Sequence, residues 1–101
     1  MRTVKKDQES FNPYAHEDMY TLVAYYTIGQ DRTSIEGLTS FTRNVVDELI
    51  KIKGTYYLPY GSYYTSEQLQ FMYPAIHMLS DMKKQYDPGG LFSNNWYEKY
   101  F

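Results

Sequence analysis

Apolar residues recur along this chain with two different periods. Residues 19–28, MYTLVAYYTI, are a β-branched and aromatic run of the kind that favours a strand. Alternation places Tyr20, Leu22, Ala24 and Tyr26 on one face and Thr21, Val23 and Tyr25 on the other. Both faces are largely apolar, so the pattern predicts a strand inside a sheet that is covered on both sides. Gly29 to Arg32 reads as a turn. Ile35, Leu38, Phe41, Val45, Leu49 and Ile52 then recur every three or four residues, the stripe of an amphipathic helix near 34–53. Thr33 and Glu36 have capping-box spacing at its start. Lys51 and Lys53 suit its last turn, and Gly54 is positioned as its C-terminal cap.

A second strand is expected near 55–60, TYYLPY, with Pro59 at its end or on an edge because proline cannot donate to a ladder. Thr65 and Gln68 form another capping-box pair that opens a helix near 66–72. Pro74 suits the first position of a helix near 74–86, whose stripe is Ile76, Leu79, Met82 and Tyr86. Asp87-Pro88-Gly89-Gly90 stops that helix. The tail, LFSNNWYEKYF, has Asn94 or Asn95 to cap a last turn. The first sixteen residues show no clear period and read as an arm or linker. The order strand, helix, strand, helices predicts an α+β fold with a small sheet and suggests a crossover unit. Two strands alone make a poor sheet. The shortage is made good by a strand from the amino-terminal arm, by strands of a larger parent chain, or by a second copy.

Composition narrows the function. The chain has 101 residues, enough for one small domain. Its apolar share of 43% is modest, but thirteen Tyr, five Phe and one Trp can supply much of a core, which argues against disorder. The net charge of -2 leaves no broad basic surface for tracking phosphates, so nucleic-acid binding is disfavoured. Without cysteine there are no disulfides, thiolate metal sites or Cys nucleophile. No apolar run approaches the ~20 residues of a membrane span, and the polar start lacks a secretory stretch, which fits a cytoplasmic protein. His16 and His77 have neither metal spacing nor a GxSxG partner, and read as structural. Gly89-Gly90 is a helix stop and not a phosphate loop.

The most unusual feature is a tyrosine cluster: Tyr56, Tyr57, Tyr60, Tyr63 and Tyr64 fall within nine residues. Phenols can stack on a sugar or flavin ring and hydrogen-bond to hydroxyls. Equally, aromatic residues are favoured in strands and can simply pack against helices.

Residues 54–96 carry an ordered set of features: Gly54, the Tyr56–Tyr60 segment, Thr65, Tyr73-Pro74, Lys83-Lys84, Asp87-Pro88, Phe92 and Asn94. In that order they resemble the carboxy-terminal end of FAD-linked oxidoreductases of the vanillyl-alcohol-oxidase and aldonolactone-oxidase type. The resemblance covers under half of the chain well and the upstream strand and helix more loosely. It implies a two-domain parent enzyme. One domain would hold the FAD; residues 17–101 would belong to the second, which covers the flavin ring and shapes the site for an alcohol or sugar-like substrate. Such a cap would be inactive without its flavin domain, so no catalytic residue is expected in isolation. Relatives carry a lysine near the end of the strand before the Thr-rich helix; here ungapped alignment puts Tyr60 there. A phenol donates a hydrogen bond but brings no fixed positive charge. On this reading Tyr60 is the leading substrate- or flavin-facing residue, with Tyr57 and Tyr63 as pocket wall. By strand alternation, Tyr56 lies beneath Tyr60 on the same face. The implied partner is the flavin domain, and a homodimer would be another way to hide the aromatic surface. The alternative is a stand-alone tyrosine-rich module that binds a protein or a glycan.

Overall fold

A computed structural model describes residues 1–101. The fold is α+β. Two short strands, β1 (Arg2–Val4) and β2 (Met19–Thr21), pair antiparallel with Arg2 opposite Thr21 and Val4 opposite Met19. Four helices follow: α1 (Arg32–Lys51), α2 (Ser66–Met72), α3 (Met78–Tyr86) and α4 (Asn95–Tyr100), with a 3₁₀ turn over Pro74–His77 leading into α3. The arm thus supplies a strand. Both strands precede α1 and run antiparallel, so the expected crossover is absent.

The helix ends are set by local chemistry. Asp31, and not Thr33, caps α1: its carboxylate accepts from the Ser34 amide at 3.0 Å and the Ser34 hydroxyl at 2.7 Å. Glu36 turns to Arg32 at 2.7 Å instead of reaching back to close a box. At the other end Lys53, with φ at 56°, takes the left-handed position that usually falls to glycine. Gly54 follows with its amide on the Leu49 carbonyl at 2.7 Å. A Cβ at Gly54 would meet Leu49 at 3.1 Å, which favours glycine at this position. The Thr65–Gln68 capping box of α2 is present in both directions, at 3.0 and 3.1 Å. Pro74 opens a helix as expected, but as a 3₁₀ turn that gives way to α3. Asn94 caps α4 by accepting from the Tyr97 amide at 2.8 Å.

The expected strands are largely missing. Pairing from 19 stops at Thr21, because β1 offers only three residues opposite it. Residues 55–60 form no strand. The Tyr56 amide goes to the Met72 sulfur at 3.2 Å and the Tyr56 carbonyl accepts from the Tyr73 hydroxyl at 2.8 Å. The Tyr60 amide then closes a turn on the Tyr57 carbonyl at 3.1 Å. Those groups are spent before a ladder could use them.

One core holds the helices together. It comprises Val46 of α1, Tyr64, Leu69 and Met72 of α2, Tyr73 and Ile76, with Tyr56, Leu79, Trp96 and Tyr100 packed around it. On α1 the buried positions are Thr42 and Val46, while Ile35, Phe41 and Val45 stay exposed. The stripe is therefore rotated by about one residue from the one the hydrophobic pattern predicts. Only ten residues are buried. The radius of gyration is 15.1 Å, against ~13 Å for a compact chain of this length, and the shortest dimension is 20 Å. The molecule is a thin slab that leaves many large apolar side chains exposed, among them Tyr20, Leu22, Tyr25 and Phe71.

Candidate functional site

The tyrosine cluster divides into an inner and an outer group, and the division follows from the turn. The inner group surrounds Tyr64, which is 1% exposed. Its ring stacks on Tyr100 at 5.2 Å and meets the edge of Tyr56 at 5.4 Å. Its hydroxyl accepts from the Trp96 indole at 2.7 Å, and its carbonyl accepts from the Tyr100 hydroxyl at 2.8 Å. Tyr73 lies beneath, donating to the Tyr56 carbonyl. Burial pushes the phenols of Tyr73, Tyr100, Tyr64 and Tyr56 above their ordinary value, which keeps them neutral.

The outer group is Tyr14, Tyr57 and Tyr60. Tyr57 and Tyr60 are the first and last residues of the four-residue turn, which brings their rings to 5.0 Å edge-on. Tyr14, from the arm, meets the other side of Tyr57 at 5.2 Å. The arm is tied down here because the Thr55 hydroxyl donates to the Tyr14 carbonyl. Tyr57 and Tyr60 are about half exposed, so this edge presents phenols to whatever approaches. Tyr63 is half-buried. Its ring lies over Gly61, where a Cβ would sit 2.2 Å from it, and its carbonyl accepts from the Arg43 guanidinium at 3.1 Å.

The four sequence-predicted residues thus end in different places. Tyr57 and Tyr60 come together on the outside. Tyr56 points inward with Tyr64, so the expectation that it lies beneath Tyr60 on a common strand face is corrected. The cause is the turn, which replaces two-residue alternation by an i, i+3 approach. Tyr63 shields a glycine. Sequence reasoning missed Tyr14, which carries no local signal, and the clamp formed by Trp96 and Tyr100. Their i, i+4 spacing in an aromatic tail was the available clue.

A cleft of about 480 Å³ lies elsewhere. It runs between the arm at Phe11–Pro13 and His16, the end of α1 at Lys53 and Gly54, and Phe71 to Ala75. None of the four predicted tyrosines lines it. His77 engages the Pro74 carbonyl at 2.8 Å and stands on the surface. No group of three His, Cys, Asp or Glu side chains converges as a metal site would require. The Asp87 carboxylate receives the Leu91 and Phe92 amides and the Lys83 ammonium, which together hold its pKa down at about 2. It is a structural clamp that returns the tail toward the core. What the outer edge offers chemically is aromatic contact and hydroxyl hydrogen bonding, with no nucleophile or base beside it.

Comparison with known proteins found no matching family model, no matching curated protein and no matching solved structure. No helix is long and apolar enough to cross a membrane.

Proposed function

We propose that this chain is the carboxy-terminal substrate-cap part of an FAD-dependent oxidoreductase that acts on a hydroxyl-bearing, alcohol or sugar-like substrate, and that it works only with a flavin-binding domain. The observation that carries the reading is the ordered series from Gly54 to Asn94. Its members are residues that set the helix ends and build the packing around Tyr64. Gly54 ends α1, Thr65 caps α2, Tyr73 holds the Tyr56 carbonyl, Asp87 clamps the tail, and Asn94 starts the helix that packs on Tyr64. The many exposed large apolar side chains suit a chain that is covered by another domain.

The residues present do not fit the FAD pyrophosphate. The N-termini of α1, α2 and α4 are already filled by the side chains of Asp31, Thr65 and Asn94, and the first of these is an anion. In this reading the cofactor belongs to the partner domain and supplies the redox chemistry when bound there. The work left to this chain is to present Tyr57 and Tyr60 as hydrogen-bonding wall, with Tyr60 nearest the reacting carbon.

The test is to co-express the chain with a flavin-binding domain encoded in the same reading frame or beside it. A yellow one-to-one complex that is bleached anaerobically by a hydroxyl-bearing substrate supports the reading. Tyr60→Phe should then slow bleaching about tenfold, the equivalent of one hydrogen bond made in the transition state, and leave folding unchanged. Failure of the two chains to associate rejects the cap reading. Association with normal kinetics in the Phe variant removes Tyr60 from the site. A glycan that binds the isolated chain at the Tyr57–Tyr60 edge would instead favour the interaction-module reading.

A further inference from the structure

Directly after β2 the chain runs through Leu22-Val23-Ala24-Tyr25-Tyr26-Thr27-Ile28 with no regular structure. Not one backbone N–H or C=O in these seven residues has a hydrogen-bond partner within the protein. Their composition is nonetheless that of a strand. Leu22, Tyr25 and Tyr26 are 77, 93 and 58% exposed. An apolar, unpaired continuation of an existing strand is a template for another strand.

We propose that this segment pairs antiparallel with the same segment of a second copy, about a two-fold axis at Ala24. Charge does not oppose self-pairing. Residues 19–30 carry no charge of either sign, and the nearest acid on the β2 side, Asp18, is already paired with Lys5 at 2.7 Å. Register follows from symmetry. A two-fold axis normal to the sheet sets each residue opposite one of equal parity. Centring on Ala24 puts the smallest side chain against itself, Val23 against Tyr25, Leu22 against Tyr26 and Thr21 against Thr27. Aromatic with β-branched and Thr with Thr are favourable cross-strand pairs. Area is sufficient. The exposed parts of Tyr20, Tyr25 and Tyr26 offer roughly 450 Å² at ~200 Å² per ring. Leu22 adds to this, as does Phe41 of α1, which touches Tyr26 at 5.5 Å. Together they approach the ~800 Å² per partner of a stable interface. The inference does not rest on the flavin reading, because it concerns a different segment and the isolated chain.

The chain has no cysteine, so single substitutions report the register cleanly. Opposed residues in an antiparallel pair have Cα atoms about 4.5–5.5 Å apart, within the range a disulfide spans. Ala24→Cys should cross-link to its own copy on mild oxidation, and nearly completely. Leu22→Cys should not, because the two copies of that residue would be ~14 Å apart along the strands. A mixture of Leu22→Cys and Tyr26→Cys chains should cross-link. Light scattering should give a mass of two copies for the parent and one for Ala24→Lys, which sets two cations face to face. A parent that scatters as a monomer, equal cross-linking at positions 22 and 24, or assembly beyond two copies would overturn the proposal.

Discussion

Tyr73→Phe removes a single oxygen from the centre of the core and leaves the ring in place. Tyr73 is 2% exposed and its hydroxyl reaches the Tyr56 carbonyl at 2.8 Å. A hydrogen bond of this kind contributes about 0.5–1.5 kcal/mol net, and a fully buried orphan acceptor would cost ~1–3 kcal/mol. Tyr56 is only half-buried, so water partly compensates its carbonyl. About 1–2 kcal/mol is the expected loss, or a fall of roughly 5–15 °C in Tm for a domain near 100 residues. Thermal and urea unfolding followed by circular dichroism measure it, with exposed Tyr60→Phe as a control expected within ~0.5 kcal/mol of the parent. A second signature lies at alkaline pH. Burial raises the folded Tyr73 phenol above the unfolded value near ~10. The stability gained by keeping it neutral is therefore complete below pH ~10 and is lost as pH rises through the folded value. Tyr56, Tyr64 and Tyr100 share that direction, so the parent keeps part of the slope from them. Only the difference between the two proteins reports Tyr73. The Phe variant should lose less stability than the parent across that range. Parallel pH curves, or a variant as stable as the Tyr60 control, would refute the argument.

Three further outcomes follow from the same geometry. Gln68 joins the capping box to α1, its amide donating to the Arg43 carbonyl at 2.9 Å and the Asp47 carboxylate at 2.6 Å while 8% exposed. Gln68→Ala should cost about 1–3 kcal/mol, read as a lower urea midpoint at constant slope. Lys53→Gly should raise stability by about 1 kcal/mol, because φ at 56° costs nothing to glycine; an unchanged or lower Tm would contradict this. Asp87, held at about 2, contributes stability that is present above the ordinary carboxylate value of ~4 and is lost as pH falls through its folded value. Asp87→Asn should be less stable at neutral pH and should flatten the acid limb of the unfolding curve followed by tyrosine near-UV dichroism.

The helices were legible in the sequence because what starts and stops a helix is local. Thr65 with Gln68, Pro74 and Asn94 do as residues what their spacing promises. Strands are different, since a run of β-formers needs a partner that the run itself does not encode. Residues 55–60 have the composition of a strand, but Met72 and Tyr73 claim the Tyr56 backbone first. The α1 stripe was misplaced for another reason. Thr42 is polar by class yet buried, whereas Phe41 and Val45 are apolar and face outward. Strand alternation pairs Tyr60 with Tyr56, whereas the turn at 57–60 brings Tyr60 against Tyr57 instead. Tyr63 and Tyr64 are neighbours of one type with opposite fates, and only the aromatic tail folding back over Tyr64 separates them.

The rotation of the α1 stripe bears on the apolar side chains that the helix leaves exposed. A helix that serves a single core is apolar on one side. Here Val46 and Thr42 face the core, while Phe41 and Val45, each one residue earlier, carry exposed apolar surface about 100° round the cylinder. Such a helix has apolar surface to spare beyond this core. That surface includes the side where Phe41 meets Tyr26 of the unpaired segment at 22–28. The Tyr57–Tyr60 edge is a separate surface, held by the arm at Tyr14 and by the turn. A strand partner and a substrate-bearing partner could therefore engage the same molecule through different residues. Lysine at position 24 should abolish self-pairing and leave the Tyr57–Tyr60 edge intact, whereas Tyr60→Phe should do the reverse. If either substitution altered both properties, the two surfaces would have to be one.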